Sequence, residues 1–296
     1  MIESSEIYSP PSFSVVEDSY QKSKQFVKSP FRYPGGKFYA AKYILPFMTC
    51  VTHDEFREPF IGGGTIFFGK DKAKKNWIND LETELVETYK VIADDILCEK
   101  LCKLIENEKA SPQRHEEVKN IIPKNNLERA FKTFYLNRTS YSGIINSPSW
   151  GYVDGKSSPP TNWSAFLREA NKKLKDTIIT NLDFSEVIQA ESYNKQVLMY
   201  LDPPYFHADQ KRAYTKSFIL EDHTRLAKIL QKTNNLFCLS YDDCKEIRDL
   251  YAWAEIHERS WIYNTANKKG VSRDKGNELV ITNYEIAFTP KQWQLF

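Results

Sequence analysis

A chain of 296 residues with a formal net charge of +2 is long enough for one large α/β domain with an insertion, or for two domains. Its five cysteines, Cys50, Cys98, Cys102, Cys238 and Cys244, form no CxxC pair, and neither a secretory signal nor a long apolar span occurs; this argues against a disulfide framework and for reduced thiols in an intracellular, soluble protein. The charge is regional, because residues 100–175 hold 14 Lys and Arg against 7 Asp and Glu and leave the remainder acidic.

Residues 1–28 scatter Ser and Pro without a hydrophobic period and read as a poorly ordered tail. Order begins near Ser29, where Phe31-Arg32-Tyr33-Pro34-Gly35-Gly36-Lys37 feeds the amphipathic stretch Phe38 to Met48. This is no Walker A loop, since the first glycine of GxxxxGK[ST] is missing and Phe38 stands where Ser or Thr belongs; an ordinary glycine turn is the plainer reading. Glu55 to Phe60 leads as a strand into Ile61-Gly62-Gly63-Gly64 and an apolar helix start, a turn that lets a ligand touch backbone. Phe67 at the third glycine position of the dinucleotide fingerprint disfavours a pyrophosphate cofactor and leaves room for a smaller nucleoside. Asn76 to Asp80 forms a second strand ending in an acid, suited either to ribose hydroxyls or to capping the helix Leu81 to Ile92. Cys98 and Cys102, four apart on one helix face, indicate packing, and no metal-ligand set emerges.

From Asp94 to Lys175 the pattern turns helical and basic, then loses its period. Phe131 to Arg138 ends a helix, and Thr139 to Lys156 displays Tyr141, Trp150 and Tyr152 among small polar residues, a composition suited to phosphates and base edges or to a solvated structured loop. Thr177 to Phe184 is a strand with an acid at its mouth, where Asp183 either accepts from an adenine amino group with Phe184 packed on the ring, or caps the helix Ser185 to Ala190.

Val197 to Leu201 is a strand with both faces covered, and Pro203 and Pro204 stop it. Asp202 and the Pro203 carbonyl offer adjacent acceptors suited to an exocyclic amino group, and Tyr205 offers a ring on which an extruded base can stack; an Asp-Pro turn after a core strand is the alternative. Glu221 to Thr233, Leu236 to Tyr241 and Cys244 to Trp253 continue the helix and strand alternation. Ala254 to Tyr263 and Glu278 to Phe288, around the basic loop Asn264 to Asn277, form an antiparallel pair.

Taken in order, FRYPGGK, EPFIGGGTIFF, the Asn-Asp of WIND, FYLNRTSYSG, NLDF, DPPY and NELVITNY resemble the Dam-like DNA adenine-N6 methyltransferases from about Ser29 to Phe288. The resemblance implies a Rossmann-like sheet with a reversed strand hairpin, formed by residues 29–97 and 177–296, and a mostly helical target-recognition insertion at 98–176. It implies S-adenosylmethionine as methyl donor, with Tyr33, Gly36, Lys37, Pro59, Phe60 and Gly62 to Gly64 (including Gly63) around its methionine part, Asp80 on ribose, and Asp183 and Phe184 on its adenine. Asp202, at the cofactor's edge, would with Pro203, Pro204 and Tyr205 receive a flipped adenine, and Arg138, Tyr141, Ser142, Asn146, Trp150 and Lys156 would meet double-stranded DNA. GATC-specific members place Asn-Gly and then Arg where this chain has Ser142-Gly143 and Asn146, so the lost arginine points to another target. We therefore expect a cytoplasmic, nucleoid-associated monomer or weak dimer, open to a cognate restriction endonuclease. Adenine in RNA or single strands, cytosine N4, and a non-catalytic DNA binder remain as rival readings.

Overall fold

The computed structural model describes residues 27–33, 36–144, 147–192, 195–207, 218–262 and 275–286. All but the last two residues of the expected tail, Pro34, Gly35, Asn146 and most of the basic loop after Tyr263 lie outside them. The strands are β1 (Glu55–Glu58), β2 (Lys75–Asn79), β3 (Thr177–Thr180), β4 (Val197–Leu201), β5 (Leu236–Asp242), β6 (Glu255–Ile262) and β7 (Lys275–Thr282). They form one sheet ordered β3-β2-β1-β4-β5-β7-β6. Pairs among β1 to β5 are parallel, and β7 runs antiparallel between β5 and β6. This is the expected Rossmann-like α/β sheet with a reversed hairpin. β7 starts at Lys275 and ends at Thr282, earlier in the chain than its hydrophobic run indicated, because its pairing with β6 extends out to Ile262↔Lys275.

The helices are α1 (Ala41–Thr49), α2 (Thr65–Gly69), α3 (Thr83–Ala93), α4 (Asp95–Glu106), α5 (Pro112–Lys119), α6 (Asn126–Thr139), α7 (Trp163–Leu174), α8 (Phe184–Gln189), α9 (Leu220–Lys232) and α10 (Lys245–Leu250). β4 is buried at every position, as its unbroken apolar run dictates. β1 is equally buried although it reads Glu-Phe-Arg-Glu. Arg57 resolves this: its Nε donates to Glu55 Oε1 at 2.7 Å, and its terminal nitrogens donate to the carbonyls of Val187, Ala190 and Glu191. The charge is thus hydrogen-bonded throughout, the condition for burying it.

Strand order reverses direction at β1, which has β2 on one side and β4 on the other. The loops after β1 and β4 therefore open onto the same crevice, the place where open α/β sheets take ligands.

The helical insertion does not stand apart. α4 begins at Asp95, so a boundary at residue 98 falls inside a helix, and Leu101, Phe134 and Trp163 share one core with Phe31, Phe56 and Leu198. Much of its basic character is neutralised locally, by Arg114 with Glu108 and Glu117, Arg129 with Glu84, and Arg168 with Glu99 and Glu106. Asn137 of α6 fastens the insertion to the first loop: its Oδ1 accepts from the Arg32 amide at 2.9 Å, and its Nδ2 donates to the carbonyls of Arg32 and Gly143 at 2.6 and 2.8 Å. Gly143 is required there, because a Cβ would lie 2.3 Å from the Arg32 carbonyl oxygen. Asn137→Ala is expected to cost about 2 kcal/mol of unfolding free energy in urea titrations, since it strands buried backbone groups.

Candidate active site

The glycine turn after β1 is held from several sides. The Gly62 amide donates to Asp80 Oδ2 at 2.8 Å, Tyr89 donates to the Gly62 carbonyl at 2.8 Å, and Ser29 donates to the Gly63 carbonyl. The Tyr33 ring lies on it so closely that a Cβ on Gly62 would stand 3.1 Å from the ring. Asp80 also accepts from the Glu82 amide at 2.9 Å, and burial still raises its carboxyl to about 6. Asp80 is therefore the brace of the turn, and Glu82, not Asp80, occupies the cap position of α3. Asn79 ties three strand ends together, donating to the carbonyls of Pro59 and Leu182 and accepting from Thr180 and the Leu182 amide. Gly36 closes the first loop with a hydrogen bond to the Tyr33 carbonyl at 3.0 Å.

After β4, Pro203 and Pro204 are buried and Asp202 is partly open. Lys37 pairs with Asp202 Oδ1 at 2.8 Å, and Ser240 Oγ donates to the same oxygen at 2.9 Å. Both contacts converge on Oδ1. Lys37 also lies 4.7 Å from the centre of the Tyr205 ring, whose hydroxyl donates to Glu278 Oε2 at 2.6 Å. Glu278 is buried on β7; burial lifts its carboxyl to about 7 against the opposing pull of Lys37 and Tyr205. The backbone amides of Phe206 and His207 donate to Asp242 at 3.0 and 3.1 Å, which fixes the end of the Asp-Pro-Pro-Tyr turn. Glu58, the last residue of β1, is buried with Oε2 unpartnered, and burial together with the Asp202 charge raises its carboxyl well above the usual range.

Asp183 caps α8, accepting from Ser185, and pairs with Arg225 of α9 through both oxygens at 2.7 and 3.0 Å. Burial works to raise its carboxyl, but the Arg225 and Ser185 hydrogen bonds outweigh it and set it at about 2. The capping alternative is thus realised, with an ion pair that sequence spacing did not show. The Phe184 ring lies 5.3 Å from that of Phe60 and 5.6 Å from Phe218, beside the crevice.

At the tip of the insertion, Tyr141 is half exposed and Lys156 is exposed. Ser142 takes a left-handed backbone, and a bridge between Ser140 and Trp150 closes the loop. Trp150 packs edge-on against His115 and beside Tyr152. Arg138 departs from expectation: it is 8% exposed and stacks over Phe166 at 5.1 Å, and burial lowers its pKa to about 10. It stands under the loop rather than on its outer face.

Glu278, Ser240, Asp242 and Arg225 escaped the reading of the sequence as site residues. Glu278 had a signal, an acid opening the apolar run Leu279-Val280-Ile281; Ser240 and Arg225 lie in segments that read as ordinary strand and helix, and Asp242 falls between the strand ending at Tyr241 and the helix starting at Cys244.

A family model of D12 class N6 adenine-specific DNA methyltransferases matches residues 33–265. The chain is 27% identical over 293 residues to the Type II methyltransferase M1.LlaDCHI of Lactococcus lactis subsp. cremoris, covering 89% of this chain and 98% of that one. Among solved structures, the rRNA methyltransferase aviRa from Streptomyces viridochromogenes aligns at a TM-score of 0.33 and 9% identity, over 94% of this chain and 87% of the other. The family match spans the glycine turn, the insertion and the Asp-Pro-Pro-Tyr turn just described, and on it the chain belongs to the D12 class N6 adenine-specific DNA methyltransferases.

Proposed function

We propose that this enzyme transfers a methyl group from S-adenosylmethionine to N6 of an adenine flipped out of duplex DNA, at a sequence other than GATC. The observation that carries the reading is the Asp202 carboxylate, with Oδ1 held by Lys37 and Ser240, and Lys37 in turn over the Tyr205 ring. The residues present fit the cofactor. Gly62 to Gly64 form a side-chain-free turn at the switch point, the unpartnered Glu58 Oε2 suits an ammonium group, and Asp80 suits ribose hydroxyls. Tyr33, Gly36, Lys37, Pro59 and Phe60 complete the methionine side, with Asp183 and Phe184 toward the adenine. Because the Asp183 carboxylate is engaged by Arg225, the Phe184 ring supplies most of that contact. When bound, S-adenosylmethionine supplies an electrophilic methyl group.

The protein's own part is positioning. The N6 lone pair of adenine is delocalised into its ring, and Asp202 Oδ2 with the Pro203 carbonyl, accepting its two hydrogens, draws the nitrogen toward a tetrahedral, nucleophilic form. Pro203 and Pro204 carry no amide hydrogen to compete for those acceptors. Tyr205 stacks the base, and Glu278 fixes the ring by holding its hydroxyl. Tyr141 enters the duplex in the space the base leaves, and Ser142, Trp150 and Lys156 line the DNA side. Target choice away from GATC rests on Asn146 standing in the sequence where GATC-specific members carry an arginine able to bind guanine bidentately.

The enzyme would act on nucleoid DNA in the cytoplasm as a monomer or weak dimer; among the described residues no helix is long and apolar enough to cross a membrane. A cognate restriction endonuclease is the proposed partner, supported by the relative named a Type II methyltransferase. Expression in a host lacking adenine methylation, followed by single-molecule sequencing of its genome, tests the reading. One N6-methylated motif other than GATC supports it; a GATC motif overturns the specificity, and N4-methylcytosine overturns the base.

A further inference from the structure

His207 comes directly after Phe206 at the end of the Asp-Pro-Pro-Tyr turn, far in sequence from Cys244 and Glu246 at the start of α10. Asp242 brings them together. Its two carboxylate oxygens accept the amides of Phe206 and His207, and β5, which carries Asp242, runs on through Asp243 into α10. One ligand atom each of His207, Cys244 and Glu246 therefore lies within 4.8 Å of the others, and His207 Nε2 stands 3.6 Å from Glu246 Oε2. Around a four-coordinate zinc ion with bonds of about 2.0 to 2.3 Å, ligand atoms are spaced by roughly 3.3 to 3.8 Å. The cluster needs only small side-chain rotations to reach that spacing.

The donor set narrows the ion. An imidazole nitrogen, a thiolate and a carboxylate on one centre suit zinc and similar borderline transition ions, whereas calcium and magnesium take oxygen ligands. The imidazole is 62% and the carboxylate 49% exposed, so an ion has a path in and a water has room in the fourth position. Cys98 and Cys102, the other closely spaced thiols, donate instead to the carbonyls of Leu167 and Ser164 in the core. We infer that His207, Cys244 and Glu246 form a binding site for a zinc-class divalent ion, which clips the end of the Asp-Pro-Pro-Tyr turn to the start of α10.

Binding exchanges the Cys244 thiol proton for a sulfur–metal bond and releases it to solvent. Cobalt(II) titration of the full-length protein reads the site directly, through the thiolate-to-cobalt charge-transfer band in the near ultraviolet and the visible bands of a four-coordinate ion. We expect both at one equivalent, displaced by one equivalent of zinc. Cys244→Ser should abolish the charge-transfer band, His207→Ala and Glu246→Gln should each weaken cobalt affinity at least tenfold, and Cys50→Ser should leave the spectrum unchanged. Cys244 is the N-cap of α10, where serine is a favoured residue, so the serine variant should keep its fold. Absence of the band in the parent protein, or its persistence in Cys244→Ser, overturns the site.

Discussion

Asp202→Ala is expected to lower methyl transfer roughly 10^3-fold while leaving affinity for S-adenosylmethionine and for DNA within a few-fold, because it removes an acceptor that acts on the reacting nitrogen. The alanine variant has a second effect that must be separated from the first. Lys37 is 4% exposed and pairs with Asp202, so the substitution also removes an opposing charge beside a buried ammonium group and lowers stability. Asp202→Asn resolves the ambiguity, since it keeps the shape and one acceptor; its fold should survive, with methyl transfer down about 10^2-fold. Tritiated-methyl incorporation at saturating DNA, paired with thermal unfolding and cofactor titration, checks both. Full activity in a folded asparagine variant would remove Asp202 from the reaction.

Glu278→Ala should lower kcat by roughly 10- to 100-fold through Tyr205, whose buried hydroxyl loses its acceptor, worth about 1–3 kcal/mol. Glu278→Gln keeps an acceptor oxygen and should recover most of the rate, whereas the similarly sized Glu278→Met, which fills the space without a comparable acceptor, should not. Stability against pH gives an independent readout. The folded carboxyl, at about 7, lies above its ordinary 4.5, so the folded state binds the extra proton; the resulting stabilisation is full below 4.5 and is lost as pH rises through 7. Glutamine removes that dependence, and its melting temperature relative to the parent should therefore climb between about pH 5 and about pH 8. Parallel melting curves for the two proteins would show Glu278 to be ordinarily ionised.

The parts of this molecule that declare themselves in sequence are those whose chemistry is local. Three glycines must turn, two prolines must stop a strand, and an apolar pentapeptide before Asp202 must be covered on both faces. The helix and strand alternation then limits the sheet to a few topologies. What stayed hidden depends on which strand lies beside which. Glu278 reaches Tyr205 only because β7 inserts next to β5, and no spacing rule states that. Asp183 offers an acceptor at a strand mouth, but Arg225, forty-two residues later, takes it. Arg138 sits in a basic stretch that invites a DNA reading, yet Phe166 and the helix packing draw it inward.

The placement of β7 also has a consequence for biosynthesis. β7 is the final strand of the described chain, yet it lies between two strands made before it. While the ribosome has delivered only the residues before Lys275, β5 is an open edge beside the Asp-Pro-Pro-Tyr turn, and β6 has no neighbour to hydrogen-bond. The nascent protein can bury its glycine turn and dock its helical insertion, but Tyr205 has no Glu278 to steady it. A chain cut short before β7 therefore presents an open strand edge to chaperones and proteases.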